Sequence, residues 1–86
     1  MAKTLREQFG LRVRTLRVAT GLSQEAFADK CGFARTYMSR IETGIANPSL
    51  DAIETLATGL KVPVDFLFQV VTATPRGAVR SKLKAP

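Results

Sequence analysis

The stretch from residue 21 to residue 44, GLSQEAFADKCGFARTYMSRIETG, decides the fold. Ser23 is a strong N-cap residue and predicts the start of a short helix over residues 23–30. Gly32 follows where a tight turn between helices requires a positive φ angle, and a second short helix is predicted over residues 35–43. The apolar residues that these two helices would turn inward are Phe27, Ala28, Met38 and Ile41. The stretch therefore predicts two short helices joined by a tight turn.

Helical patterns also flank this stretch on both sides. Before it, Thr4 can cap a helix over residues 5–20, in which apolar residues recur every three or four positions. After it, Ser49 predicts the start of a helix over residues 49–60. Gly59 within that helix indicates either the close approach of another helix or simply the helix end. The apolar residues of the two stripes are Leu5, Phe9, Val13, Leu16, Leu50, Ile53, Leu56, Ala57 and Leu60.

A last segment over residues 63–71 is apolar on nearly all sides and completes the prediction of an all-α fold, a compact five-helix bundle over residues 1–71. A terminal helix of this kind needs a partner, and a second copy of the chain can supply it, so we expect a homodimer. The expected dimer-interface residues are Leu60, Val64, Phe66, Leu67 and Phe68. Residues 72–86 are predicted to be a flexible basic tail because Pro75 and Gly77 break regular structure.

Composition excludes several classes of function. The chain has one cysteine, Cys31, and no histidine, so a Cys/His zinc site and a histidine general base are both excluded. No phosphate-binding glycine loop is present, and we expect neither an enzyme nor a metal, a cofactor or a small-molecule ligand. The first residues lack the apolar run of a signal peptide, and no stretch reaches the roughly 18 apolar residues of a membrane span. We therefore expect a cytoplasmic protein with no membrane partner.

The net charge of +6 points to a polyanionic partner. Residues 1–68 contain nine basic and seven acidic residues, a net charge of +2, whereas residues 69–86 contain four basic residues and no acidic one. A basic tail of this kind contributes either to solubility or to the binding of phosphates. Two short helices separated by a glycine turn, with Arg, Thr and Tyr on the second helix, are typical of a DNA-reading helix-turn-helix.

Specific residues strengthen this interpretation. The chain resembles the lambda-repressor/Cro-like regulators of the xenobiotic-response-element type over roughly residues 5–68, and residues 34–40 look particularly like restriction-modification controller proteins. The residues that carry the resemblance are Phe9, Gly10, Arg12, Val13, Arg14, Leu16, Arg17, Gly21, Leu22, Ser23, Gln24, Glu25, Phe27, Ala28, Ile41, Glu42, Gly44, Asn47, Pro48 and Ser49. The resemblance implies a helical DNA-binding domain whose second motif helix lies in the major groove of double-stranded DNA.

The resemblance also implies roles for individual residues. Gln24 matches a position that touches the DNA backbone and can brace a base contact, and Arg17 and Glu42 match an ion pair inside the domain. The positions that face base edges are matched by Arg35, Thr36 and Arg40, and positions near phosphates are matched by Tyr37, Ser39, Thr43 and Asn47. Ala34 departs from the family, in which Ser or Thr commonly caps the recognition helix, and this loss weakens the cap by about 1 kcal/mol.

Alternatives remain open at this level. Arg40 could pair with Glu42 or Glu54 rather than contact DNA, Arg35 could simply be solvated, and Tyr37 could be half-buried packing. For the whole chain, the leading hypothesis is a sequence-specific transcriptional regulator, a repressor or autoregulatory controller, that binds a near-palindromic operator as a homodimer. The other hypotheses are the DNA-binding antitoxin of a toxin–antitoxin pair and a helical protein-interaction module that does not bind DNA.

Overall fold

The computed structural model describes residues 3–69, so the predicted tail over residues 72–86 lies outside the described residues. Within that range the chain forms four α-helices and one short 3₁₀ helix. They are α1 (Leu5–Thr20), α2 (Gln24–Cys31), α3 (Arg35–Glu42), α4 (Leu50–Leu60) and the 3₁₀ segment (Val64–Phe68). The prediction of an all-helical fold is confirmed for this part of the chain. None of these helices is long and apolar enough to cross a membrane.

Side-chain caps fix where three of the helices begin. The Thr4 hydroxyl accepts from the backbone N–H of Glu7, whose carboxylate accepts in turn from the N–H of Thr4, which completes a capping box. Ser23 caps α2 and Ser49 caps α4 in the simpler way, each accepting a backbone N–H three residues later. Gly32 ends α2 with a φ of 76°, which confirms the left-handed turn that the sequence predicts.

The core lies where α1 and α3 cross, with α2, α4 and the 3₁₀ segment packed around them. The closest approach is at Gly10 of α1, where a Cβ atom would lie 2.7 Å from the carbonyl oxygen of Glu42 and nearer still to that of Ile41. Glycine is therefore required if α1 is to meet the C-terminal end of α3. The largest fully buried side chains are Phe27, Met38, Ile41, Leu56, Leu67 and Val13.

Gly59 marks a second close approach, which decides between the two explanations that the sequence left open. A Cβ atom at this position would lie 3.1 Å from both Cys31 Sγ and a ring carbon of Phe27, so α4 packs directly on α2 here. The helix itself continues to Leu60. Desolvation in this half-buried position raises the pKa of the Cys31 thiol, which therefore stays protonated at neutral pH.

The fifth predicted α-helix, over residues 63–71, is not confirmed, because the chain between Pro63 and Gln69 forms a five-residue 3₁₀ segment, and residues 70–71 lie outside the described residues. Its apolar side chains are largely used within the chain: Leu67 is fully buried, and the ring of Phe68 lies 5.0 Å from that of Phe9. Two residues that the sequence placed at the dimer interface, Leu67 and Leu60, are buried in the core of the folded chain.

Candidate nucleic-acid interface

Helix α3 has one buried face and one open face. Met38, Ile41 and Glu42 are turned into the protein, and they hold the helix against α1 and α2. The opposite face carries polar side chains at steps of three and four residues, which align along one side of a helix. This outer stripe consists of Thr36, Ser39, Arg40 and Thr43.

Both arginines of α3 are exposed. Arg35 is the first residue of the helix, beside the outer stripe, and Arg40 lies within the stripe. Among residues 3–69, neither guanidinium makes a hydrogen bond or an ion pair, and the one ion pair of this range uses Glu42 with Arg17. The alternative pairing of Arg40 with Glu42 or Glu54 is therefore absent. Two flexible cationic side chains are left free to contact an anionic partner.

The end of α3 and the following loop present the positions matched to phosphate contacts. Thr43 and Asn47 are exposed, and Ser39 is half-buried. The Thr43 hydroxyl donates its one proton to the carbonyl oxygen of Ser39 at 3.0 Å. In this rotamer the hydroxyl oxygen can still accept a hydrogen bond, and it must rotate before it can donate one to another partner. The carbonyl oxygen of Arg40 accepts from the N–H groups of both Ile45 and Ala46, which folds the loop back onto the end of the helix.

Tyr37 lies between the two faces of α3. Its ring is half-buried and stands edge-on to the ring of Phe33, with the centroids 5.1 Å apart and the planes at 82°. This packing explains why an aromatic ring stands at this position, independently of any contact that the hydroxyl group makes. Ala34 precedes the helix in an extended conformation and makes no side-chain cap, and α3 nevertheless begins at Arg35 as the sequence predicts.

Arg17 and Glu42 form a buried, two-pronged ion pair. Arg17 Nε donates to Glu42 Oε2 at 2.7 Å and Arg17 Nη2 donates to Glu42 Oε1 at 3.1 Å, with both side chains almost fully covered. The third arginine nitrogen, Nη1, donates to the carbonyl oxygen of Leu22 at 2.9 Å. One side chain of α1 thus joins the end of α3 to the loop that leads into α2.

Gln24 is the first residue of α2 and has a contact that the sequence did not predict. Its Nε2 donates to Glu42 Oε1 at 3.0 Å, so the Gln24 amide is hydrogen-bonded to the same buried carboxylate as Arg17. The side chain is half-buried, and part of it faces solvent beside α3. The signal that could have found this bond is the pairing of Gln24 with Glu42 in one motif, but their separation of 18 residues gives no local pattern.

The residues of the 3₁₀ segment that are expected at a dimer interface differ in their exposure. Val64 and Phe68 are each 43% exposed, while Phe66 is half-buried. Arg12 of α1 contacts this 3₁₀ segment. Its Nε donates to the carbonyl oxygen of Phe66 at 2.9 Å, and its guanidinium lies over the Phe66 ring at 4.2 Å. Arg12 therefore holds the 3₁₀ segment against α1.

Comparisons with known proteins agree with this architecture. The profile of a family described as a helix-turn-helix domain matches residues 8–66. The control protein C.BamHI of Bacillus amyloliquefaciens is 44% identical over 69 residues, which are 78% of this chain and 85% of that protein. The solved restriction-modification controller protein C.AhdI from Aeromonas hydrophila is 45% identical with a TM-score of 0.70, and the match covers 72% of this chain and 94% of C.AhdI.

A third relative was solved as an assembly on DNA. The restriction-modification controller protein C.Esp1396I, a tetramer in complex with its natural 35 base-pair operator, is 28% identical with a TM-score of 0.69. The match covers 78% of this chain and 88% of that one. The family profile covers most of α1 and the whole of α2, α3 and α4, and the matches cover most of the length of each relative. The chain therefore belongs to the helix-turn-helix family of transcriptional regulators that includes the control proteins.

Proposed function

We propose that the chain is a controller-type transcriptional regulator that binds a near-palindromic operator as a homodimer, with α3 of each copy in the major groove. The observation that carries the proposal is the outer face of α3. It presents two arginines that have no partner among residues 3–69 and several hydroxyl-bearing side chains, while its opposite face is anchored in the core. An α-helix fits the major groove of B-DNA, where base edges are distinguishable.

Base contacts fall to the three exposed side chains at the start and middle of α3. Arg35 and Arg40 each offer a planar fork of donors that matches O6 and N7 of guanine, and the Thr36 methyl group suits the methyl group of thymine. Each good bidentate contact contributes about 1–3 kcal/mol of discrimination against the wrong base. The specificity of the regulator therefore depends on these three positions.

Residues around the recognition helix contact the sugar-phosphate backbone of the DNA. Gln24 opens α2 and Asn47 follows the end of α3, and both offer amide donors to phosphate oxygens. The hydroxyl groups of Tyr37 and Ser39 supply further contacts of the same kind, and that of Thr43 does so once it rotates away from the carbonyl oxygen of Ser39. Contacts to phosphates fix the register of the protein on the duplex and carry no direct sequence information.

The controller assignment rests on similarity over most of the chain to proteins of that kind. C.BamHI and C.AhdI are both more than 40% identical to it, and C.Esp1396I was solved on an operator. Two copies of α3 in a symmetric dimer lie about 34 Å apart, one turn of B-DNA, so the operator is near-palindromic. We expect the operator to lie in the DNA that flanks the regulator's own gene, and footprinting there tests this assignment.

Selection of bound sequences from a pool of random DNA duplexes tests whether α3 contacts bases. The wild-type chain should enrich a near-palindrome, and Arg35→Ala should lose preference at particular base pairs while the fold and the dimer stay intact. Gln24→Ala should weaken binding with a smaller change in preference, because a phosphate contact acts on all sequences alike. Arg14→Ala is the matched control, since it removes an exposed arginine from α1 rather than from α3.

Two outcomes would contradict the proposal. A wild-type protein that enriches no palindromic sequence would exclude a sequence-specific dimer. An Arg35→Ala variant with the same base preferences as Arg14→Ala would show that Arg35 does not read bases.

A further inference from the structure

The buried Arg17–Glu42 pair ends in a third side chain, that of Gln24. Glu42 Oε1 accepts from Arg17 Nη2 and also from Gln24 Nε2, while Glu42 Oε2 accepts from Arg17 Nε. From the core outward the network therefore runs from Arg17 to Glu42 to Gln24, and it ends at a half-buried amide beside the recognition helix.

We infer that Glu42 is a positioning residue for DNA binding: it fixes the amide of Gln24 in the orientation that contacts the DNA backbone. This inference rests on the proposed contact of Gln24 with DNA and adds to it a role for a residue that does not touch DNA. Glu42 is 7% exposed and its side chain 2%, so it acts on the DNA only through a neighbour.

The chemistry of the carboxylate determines which way the amide points. An ionised carboxylate accepts hydrogen bonds and donates none, so the NH₂ group of Gln24, and not its carbonyl oxygen, must face Glu42. One N–H is used in that bond. The second N–H remains for a phosphate oxygen, and the carbonyl oxygen remains for a donor such as a base amino group or a side chain of α3.

Arg17 strengthens this arrangement from the other side. Its bonds to both carboxylate oxygens prevent Glu42 from rotating, and its bond to the carbonyl oxygen of Leu22 fixes the residue just before the Ser23 cap. The backbone at the start of α2 and the side chain of Gln24 are thus held by one network. A side chain ordered before binding loses less entropy when it meets its ligand, which raises affinity.

A pair of double variants separates this role from the stability of the ion pair. Arg17→Met with Glu42→Leu replaces the pair by apolar side chains, a change that is often neutral for stability, and leaves Gln24 without an acceptor. Arg17→Met with Glu42→Gln removes the same charges but restores an amide oxygen that can accept from Gln24 Nε2. Operator affinity is measured for both by fluorescence anisotropy at a temperature where circular dichroism shows each fully folded.

We expect the Leu-containing double variant to bind the operator about threefold to tenfold more weakly than the Gln-containing one, the cost of ordering one long side chain. In a Gln24→Ala background the two should bind equally. Equal affinity with Gln24 present, or a difference that persists without it, would overturn the positioning role alone. If Gln24→Ala leaves the affinity of the otherwise wild-type chain unchanged, the proposed DNA contact fails and the inference fails with it.

A second measurement uses the unaltered protein. The Gln24 side-chain amide should show ¹⁵N relaxation as restricted as that of the α2 backbone in the free protein, because Glu42 already holds it. Relaxation typical of a solvated side chain would overturn the inference without any substitution.

Discussion

The side chain of Arg17 is expected to contribute strongly to the free energy of unfolding of the domain. It donates three hydrogen bonds, two of them to a carboxylate that is only 2% exposed. Replacing Arg17 with Ala leaves that buried charge uncompensated, which typically costs about 3–5 kcal/mol. We therefore expect Arg17→Ala to lower the free energy of unfolding by about that amount in urea titrations followed by circular dichroism.

The matched control for this substitution is Arg14→Ala on the same helix. Arg14 is exposed, and surface substitutions of this kind usually change stability by no more than about 0.5 kcal/mol. If Arg17→Ala unfolds like the control but binds DNA more weakly, Arg17 acts at the DNA and not inside the domain.

Residues whose roles depend on near neighbours in the chain could be predicted, and residues whose roles depend on distant ones could not. Ser23, Ser49 and Gly32 were predicted correctly because a cap or a turn involves a few consecutive residues. The contact of Arg12 could not be predicted because its acceptor, the carbonyl oxygen of Phe66, lies 54 residues away. No helical periodicity contains that information.

At the scale of elements, the residue that follows α4 and caps its C-terminal end has an unusual backbone conformation. Lys61 has a φ of 60° and is the one non-glycine residue with positive φ among residues 3–69. The left-handed region costs an L-residue roughly 1–2 kcal/mol, whereas glycine adopts it freely at a smaller cost in chain entropy. We expect Lys61→Gly to raise the free energy of unfolding by about 1 kcal/mol, seen as a higher melting temperature in calorimetry.

Lys61→Ala is the control that isolates the backbone effect. It removes the same charge and the same long side chain, but it keeps the Cβ atom that the left-handed conformation disfavours. An equal gain from Ala and Gly would mean that the lysine charge, and not the conformation, limits stability at this position.

The 3₁₀ segment shows why the last predicted element was only partly right. The apolar content of residues 63–71 predicted a helix that needs a partner, but composition does not say which partner. Leu67 enters the core, Phe68 packs on Phe9, and Arg12 covers Phe66, so contacts within the chain take up most of this surface. The four preceding helices were predicted to within two residues because their periodicity and caps agree.

At the scale of the whole molecule, the remaining question is how two copies associate. Val64 and Phe68 are the exposed apolar residues of the 3₁₀ segment, and in a two-fold interface each substitution acts twice. We expect Val64→Glu to produce monomers in analytical ultracentrifugation. Val64 is a cleaner choice than Phe68, whose ring also packs on Phe9 inside the chain.

Leu50→Glu provides the comparison. Leu50 is 83% exposed and opens α4, whereas Val64 follows the end of that helix, so the two substitutions add the same charge at different places. A dimer mass for Val64→Glu, or monomers for Leu50→Glu alone, would place the interface away from the 3₁₀ segment.

The open face of α3 has a consequence for how such regulators diverge. Among residues 3–69, the side chains of Arg35, Thr36 and Arg40 make no hydrogen bond or ion pair, so substitution there leaves the rest of the molecule undisturbed. After a gene duplication, substitutions at these three residues can accumulate until two paralogues in one cell recognise separate operators. Gln24 is hydrogen-bonded to Glu42, so fewer substitutions are tolerated there. We therefore expect lineages of this protein to vary at these three positions, which we propose contact bases, while they keep the residues that hold α3 in place.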